Sequence, residues 1–290
     1  MTTLTVVEAG ALSTVQDFGR PGQAALGIGR SGACDRGAHR LANALVGNHP
    51  TLASIEVTLG GLVLTTDREV VVATSGARCP GAPHLAPFHL GPGQQLALGA
   101  PHSGLRTYLA VRGGIDVEPV LGSRATDLLS GLGPTVLTGG DRLPVGRSDR
   151  EVPGVDVAPV PEPGAGLVDL PVDPGPRRDW FDDAAWERFT AQTFTVDSRS
   201  DRVGVRLEGE PLPRARQGEL VSEGLLRGAV QMPPEGLPLI FLADHPVTGG
   251  YPVIAYVDDS AVDRAAQLRP GQQLRFRPSR GTRRGPRPPG

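Results

Sequence analysis

The stretch GLVLTTDREVVVAT, Gly61–Thr74, decides the fold class, because two short β-branched runs flank a polar turn. Runs of about four to eight such residues, bounded by turn residues, are typical of β-strands. The pattern recurs at Gln94–Gly99 and Leu105–Gly113, and again in the second half at Pro238–Asp244 and Pro252–Val257. Turns about every ten residues predict barrels or sandwiches rather than βαβ units. The sequence therefore predicts a mainly β protein.

Length and composition predict more than one module. The chain has 290 residues, more than a single hydrophobic core usually organises. Its 40 glycines and 29 prolines are dispersed, as expected for turns in a β protein. We predict two packed β-barrel-like modules at residues 1–150 and 177–277, a Pro/Gly-rich linker or crossing segment at 151–176, and a disordered Arg/Pro/Gly tail at 278–290.

Helices are expected to be few and short. An aspartate just before an apolar stripe of helical period is a typical N-cap. Three segments show that arrangement: Arg36–Val46 after Asp35, Trp180–Thr190 after Asp179, and a short helix through Gln267 after Asp259.

All 29 basic residues are arginine, and this excludes several chemistries. Without lysine there is no P-loop lysine, no Schiff base and no biotin attached to this chain. The net charge of −2 argues against a general nucleic-acid binder.

Neither a metal site nor a membrane segment is expected. Cys34 and Cys79 stand apart, and the histidines form no HxH or HExxH pattern, so we predict no metal site. No apolar run reaches membrane-spanning length, and the start MTTLTVVEAG lacks a basic segment followed by an apolar one. We therefore expect a cytoplasmic protein.

The segment TVQDFGRPG clusters Gln16, Asp17 and Arg20. A carboxylate, a guanidinium and an amide at this spacing suit the orientation of an amide or carboxylate ligand. The alternative is an Asp–Arg pair that braces a turn.

Two further segments suggest anion binding. SGACD precedes the first predicted helix, so its backbone N–H groups can face an anion, although Asp35 is equally expected as a simple N-cap. SRSDRVGVRLEG carries Arg202, which suits an acidic or phosphorylated ligand, or else belongs to surface salt bridges. Glu56, in an apolar strand, is either a site residue or a solvent-facing one.

The turn in ADHPVTGGYP is the most specific candidate for a functional site. Thr248, Gly249 and Gly250 offer a hydroxyl and backbone amides to an oxyanion or phosphate, and Tyr251 follows at once. His245 lies just before this turn, where a histidine is more often a structural hydrogen-bonding group.

Taken together, the motifs resemble one family. From Leu4 to Phe276 they are GALSTVQDFGRPG, GIGRSGACDRGAHRLANALVGN, IEVTLGG, YLAVRGGI, LGSRATD, SRSDRVGVRLEG, SEGLLRGAVQMPPEG, DHPVTGGYPVIA and LRPGQQLRF. In this order they resemble the carboxyltransferase-domain family that includes allophanate hydrolase subunit 2, KipA and the C subunit of 5-oxoprolinase. The resemblance implies a carboxyltransferase-type module followed by a cyclophilin-like barrel.

The resemblance also implies an activity and partners. The expected activity is that of a hydrolase subunit, the ATP-dependent opening of the 5-oxo-L-proline lactam to L-glutamate. It would work with a KipI-like B subunit, with a LamB/YcsF-like A subunit, and with ATP and Mg at a nucleotide-binding site shared between subunits. The alternatives are a carboxyltransferase that acts on urea or a related amide with separate biotin proteins, and a KipA-like antagonist of a kinase inhibitor.

A lactam carbonyl is a poor electrophile, so its oxygen must be polarised or made a leaving group. Phosphorylation by ATP before water opens the ring would achieve this. The site residues predicted on this basis are Asp17, Thr248 and Tyr251 for catalysis, and Gln16, Arg20, Arg202, Gly249 and Gly250 for substrate or phosphate binding.

Overall fold

The computed structural model describes residues 2–216, 218 and 220–279, and β-strands dominate it. The strands of residues 2–145 form two sheets, whereas most strands of residues 168–278 close a barrel. The prediction of a mainly β protein with a closed barrel is confirmed. Of the predicted tail, residues 280–290 lie outside the described residues.

The first half contains nine strands in two antiparallel sheets. These are β1 (Thr2–Ala9), β2 (Leu12–Gln16), β3 (Ser54–Thr58), β4 (Leu62–Thr66), β5 (Val70–Gly76), β6 (Pro87–Leu90), β7 (Gln95–Ala97), β8 (Arg106–Val111) and β9 (Arg142–Val145). One sheet has the order β7-β4-β1-β9 and the other β2-β3-β8-β5-β6. The two runs of Gly61–Thr74 thus lie in different sheets, and their apolar residues share the core between the sheets.

The second half is built around a seven-stranded barrel with the order β10-β17-β14-β15-β12-β11-β18. Its strands and one small ladder are β10 (Val168–Pro174), β11 (Phe194–Val196), β12 (Gly204–Glu208), β13 (Glu223–Gly224), β14 (Ala229–Gln231), β15 (Leu239–Phe241), β16 (Thr248–Gly249), β17 (Val253–Val257) and β18 (Gln273–Pro278). The barrel closes through parallel pairing of β10 with β18, while β13 pairs with β16 outside it.

The helices lie close to their predicted positions, with two corrections. Helix α1 (Arg36–Leu45) begins after Asp35, whose carboxylate accepts from the amide of Ala38 at 2.8 Å, as predicted. The second helix, α2, spans Asp183–Ala191, and its cap is Asp182 rather than Asp179.

Asp179 instead lies in a 3-10 turn, Arg178–Trp180. Trp180 and the extended Phe181 both pack into the barrel core, so the chain leaves the helical conformation at Phe181 and the helix begins only after Asp182. Helix α3 spans Asp259–Ala265 and follows Asp258, so Asp259 is its first residue rather than its cap.

Phe189 of α2 connects this helix to the barrel core. Its ring stacks on Phe276 of β18 with centroids 4.4 Å apart. The first barrel strand, β10, begins at Val168, inside the predicted linker, so the barrel takes a strand from that Pro/Gly-rich segment. The limits of the predicted domains stay a prediction.

None of the helices in the described part of the chain is both long and apolar enough to cross a membrane.

Candidate functional site

The segments TVQDFGRPG and GRSGACD, which lie between the start of β2 and the start of α1, pack backbone against backbone. We call these two segments together the double loop. The amide of Arg20 donates to the carbonyl oxygen of Arg30 at 2.8 Å. Gly19 has φ +77°, and a Cβ there would stand 2.2 Å from the Arg30 oxygen. Gly32 has φ +95°, and its Cβ would stand 2.7 Å from the Gly19 nitrogen. Both positions require glycine, because only glycine permits this approach at positive φ.

Asp17 is a buried hydrogen-bond acceptor at the base of this double loop. Its Oδ1 accepts from the amide of Gly19 at 2.7 Å and from the hydroxyl of Ser123 at 2.6 Å. Its Oδ2 accepts from the amide of Arg124 at 2.7 Å. The carboxylate is thus held by three donors, and the Asp–Arg pair with Arg20 considered above is wrong.

Arg20 and Gln16 reach the same distant segment, SRATD. The buried guanidinium of Arg20 donates to the carbonyl oxygen of Ala125 and lies 3.5 Å from Asp127. Gln16 donates from Nε2 to the carbonyl oxygen of Thr126 at 2.9 Å, while its Oε1 is buried without a partner. The side chains of the three predicted residues therefore tie the double loop to SRATD.

Arg202 lies at the centre of a buried charge network that joins the two halves. It donates to Glu56 of β3, to Asp244 at 2.9 Å and to the carbonyl oxygen of Gly32 at 2.7 Å. Arg202, Glu56 and Asp244 are each 1% exposed. The interpretations of Arg202 as part of a surface salt bridge and of Glu56 as a solvent-facing residue are both wrong.

The charges in this network compensate each other. Burial acts to raise the pKa of Glu56, but the guanidinium groups of Arg202 and Arg106, with hydrogen bonds, outweigh it and leave that pKa below its usual value. Glu56 therefore stays ionised in the interior.

The start of α1 is occupied by the protein's own carboxylates. Asp263 of α3 accepts from the amides of Arg36 and Gly37, both at 3.0 Å, and Glu56 accepts from the amide of Cys34 at 3.0 Å. The anion expected at this helix start is thus part of the chain. Burial raises the pKa of the Cys34 thiol to about 11, so this cysteine is not a nucleophile at neutral pH.

The TGGYP turn combines an exposed and a packed part. Thr248 is exposed, whereas a Cβ on Gly249 would stand 2.7 Å from the Nε2 atom of Gln231. That Nε2 donates to the carbonyl oxygen of Tyr251 at 3.1 Å. The Tyr251 side chain is 44% exposed, with the guanidinium of Arg214 5.9 Å from its ring centroid.

Three adjoining cavities line up along the double loop, with volumes of about 640, 310 and 540 Å³. The first and second share Arg30 and Arg36, and the second and third share His245. We call this continuous depression the groove. Among the predicted site residues, those that line it are Asp17, Arg20 and Thr248. Gln16 and Arg202 lie in the interior.

Sequence reasoning missed the arginines of the groove, Arg30, Arg36 and Arg227. Arg30 and Arg36 flank the quoted SGACD, but Arg227 comes from a segment nearly two hundred residues further on. His245 also lines the groove; burial lowers its pKa, so it is neutral at pH 7. With Nδ1 donating to the carbonyl oxygen of Pro246 at 2.8 Å, Nε2 is left as an acceptor.

Within the described residues, no group of three or more His, Cys, Asp or Glu side chains lies close enough to hold a metal ion. The groove offers arginine side chains, the Thr248 hydroxyl and the Gln23 amide to a ligand.

The amino-acid sequence also matches a known protein family. Residues 26–278 match the carboxyltransferase domain, subdomain A and B, and the chain belongs to this family. The resemblance inferred from the motifs is confirmed. More particularly, the chain is 39% identical over 282 residues to the C subunit of 5-oxoprolinase from Escherichia coli (strain K12), covering 94% of this chain and 90% of that protein.

Larger proteins share the same domain. The urea amidolyase of Lachancea kluyveri is 32% identical over an alignment of 306 positions, which covers 94% of this chain but 17% of that protein. The crystal structure of TTHA0988 superposes with a TM-score of 0.86 at 36% identity, covering 95% of this chain and 56% of that one. This chain thus spans about half the length of that solved structure.

Proposed function

We propose that this chain is a subunit of an ATP-dependent 5-oxoprolinase, which opens the lactam of 5-oxo-L-proline to give L-glutamate. The observation that carries the proposal is its 39% identity to the C subunit of the Escherichia coli 5-oxoprolinase over nearly the full length of both chains. The groove supports it, because the substrate is an acid and the groove is rich in arginine.

The residues of the groove suggest a division of roles. Arg30 and Arg36 supply guanidinium groups for a carboxylate or phosphate. Thr248 stays the predicted contact for the carbonyl or phosphate, because its exposed hydroxyl lines the 540 Å³ cavity. Asp17, which already accepts three hydrogen bonds, is better suited to positioning the double loop than to proton transfer.

ATP supplies the chemistry that turns the lactam oxygen into a leaving group. The arginines of the groove suit its phosphates. We propose that ATP and Mg bind where this groove meets a partner protein. That partner would be a KipI-like B subunit, with a LamB/YcsF-like A subunit completing a cytoplasmic enzyme.

Exposed leucines along the groove support a partner there. Leu129 and Leu226 line two of its cavities and are 52% and 63% exposed, and Leu26 is 70% exposed. We propose that the partner covers these exposed side chains.

The test is turnover by the three co-purified proteins supplied with ATP and 5-oxoproline. ADP and glutamate should appear together, and only when this chain is present. Arg36→Gln should reduce turnover, whereas Arg188→Gln, an equal charge change at an exposed position of α2, should not. A well-formed complex without turnover contradicts the proposal.

The 32% identity to the urea amidolyase favours a second candidate, a carboxyltransferase acting on urea. Since these 290 residues contain no lysine, the biotin cannot be attached to them. Urea-dependent decarboxylation of a separate carboxybiotin carrier would support this candidate. A complex whose partner binding persists while groove substitutions change no activity would instead fit KipA-like antagonism.

A further inference from the structure

The 310 Å³ cavity is lined by side chains of a single charge sign. The charged residues in its lining are Arg20, Arg30, Arg36 and Arg227, and no aspartate or glutamate lines it in the part of the chain that the structure describes. The neighbouring 640 Å³ cavity differs, because aspartates contribute to its lining. Arg20 already donates to Ala125 and lies beside Asp127, so Arg30, Arg36 and Arg227 are the cations that a bound anion would meet.

Arg227 is held in place beside the cavity by two aspartates. Its side chain is 6% exposed, and its terminal nitrogens bind Asp259 at 2.7 Å and Asp263 at 2.5 Å. These two aspartates orient the guanidinium through its terminal nitrogens. Its Nε is buried and has no hydrogen-bond partner. Arg227 therefore forms part of the cavity wall as a fixed cation, while its terminal nitrogens stay bound to the two aspartates.

Arg36 is a partly buried cation of the cavity with one long ion pair. Its one ion pair within the described residues is a 3.8 Å contact with Asp259. Burial, followed by the charges of Arg227 and Arg30, lowers the pKa of Arg36 to about 10, while Asp259 and Asp263 oppose this less strongly. Arg36 stays protonated at neutral pH, and an anion beside it would relieve the repulsion.

We propose that this cavity binds the oxyanion of a small ligand, either a carboxylate or a phosphate group. Ile28, Leu225 and Val247 contribute apolar lining, which suits a ligand with a short carbon framework next to its anionic group. The inference rests on the proposed function only for the choice of ligand: the carboxylate of 5-oxoproline or a phosphate of the nucleotide.

Calorimetric titration of the purified full chain at low salt tests the proposal. The probes are inorganic phosphate, 5-oxoproline, and 2-pyrrolidinone, which is the same lactam without the carboxylate. At least one of the two anions should bind saturably, and 2-pyrrolidinone should bind at least tenfold more weakly than the anions. Binding of 5-oxoproline alone assigns the carboxylate, and binding of phosphate alone assigns the phosphate.

Substitutions locate the binding. Arg30→Gln and Arg36→Gln should each weaken it about tenfold or more, since each removes a charge-assisted hydrogen bond. Arg188→Gln is the control for net charge and should leave the affinity unchanged. Arg30 and Arg36 are preferred over Arg227, which also supports the pairing of α1 with α3. A circular dichroism spectrum like that of the wild type confirms that the variants are folded.

The proposal is overturned if neither anion binds, or if a variant that combines Arg30→Gln and Arg36→Gln binds as tightly as the wild type. Loss of turnover by the assembled enzyme with anion binding intact counts against the proposed function alone. Turnover without measurable anion binding by this chain counts against the cavity alone.

Discussion

Replacing Arg202 by alanine tests the buried network that joins the two halves of the chain. The change removes the partners of Glu56 and Asp244, two carboxylates that are each 1% exposed. Breaking a buried ion pair by removing one partner costs about 3 to 5 kcal/mol. Arg106, 3.5 Å from Glu56, remains and compensates part of the charge. We therefore expect a loss near the lower end of that range, about 3 kcal/mol.

Urea unfolding followed by circular dichroism measures this loss. The matched control is Arg199→Ala, which removes an arginine three positions away whose side chain is 75% exposed and pairs with Asp197. Exposed pairs contribute little, so this control should resemble the wild type. Equal unfolding free energies for the two variants would refute the reasoning.

The loss should also depend on pH with a defined sign. In the wild type the pKa of Glu56 is below its usual value of 4.5, so its contribution to stability is present at neutral pH and lost as the pH falls below that value. Without Arg202, burial raises the pKa of Glu56 in the folded state, and the variant becomes more stable on acidification. The gap between the two proteins should therefore narrow from pH 7 toward pH 5. A gap that widens would contradict uncompensated charge as the cause.

Arg202→Ala also tests the role that the sequence predicted for this residue. If the variant assembles with its partners and retains full turnover, Arg202 does not bind the anionic group of the substrate.

Three further predictions concern the TGGYP turn, the thiols and a buried histidine. Gly249→Ala should lower the unfolding free energy by about 1 to 3 kcal/mol, because its Cβ would meet Gln231 and Leu225 at 2.7 Å, whereas Gly250→Ala should be tolerated; equal urea midpoints would contradict this. Cys34 and Cys79 are buried, so a thiol reagent at pH 8 should label the native protein slowly and should label both cysteines of the urea-unfolded protein quickly. Fast labelling of the native protein would be inconsistent with the structure. Burial lowers the pKa of His39 from 6.5 to about 4, so its contribution to stability is present above pH 6.5 and lost as the pH falls toward 4; His39→Gln should flatten the urea midpoint over that interval.

The sequence allowed the strands and the first helix to be predicted because their signals are local. The carboxylate of Asp35 caps Ala38 three residues on, which any reader of the sequence can anticipate. The prediction that Asp179 caps the second helix was wrong, because Trp180 and Phe181 pack into the barrel core rather than along one face of a helix. The packing of these two side chains depends on a core formed by strands that are far away in the sequence.

The site was predicted less well because its contacts are distant in sequence. Gln16, Asp17 and Arg20 were grouped by proximity, yet their partners lie in SRATD, more than a hundred residues away. Similarly, nothing local places Arg227 beside Arg36. The motifs in the sequence correctly indicated which loops form the site, whereas the contacts of the individual side chains depend on the tertiary fold.

The carboxylate of Asp263 that caps α1 has a consequence for synthesis on the ribosome. It lies 227 residues after the amide of Arg36 that it accepts from. At about 5 to 20 residues per second, translation needs roughly 11 to 45 s to cover that distance. The nascent chain must therefore carry its first helix with two unpaired amides until every barrel strand except β18 has been synthesised. A product that stops before α3 should fray at α1, and chaperones or proteases would meet it there.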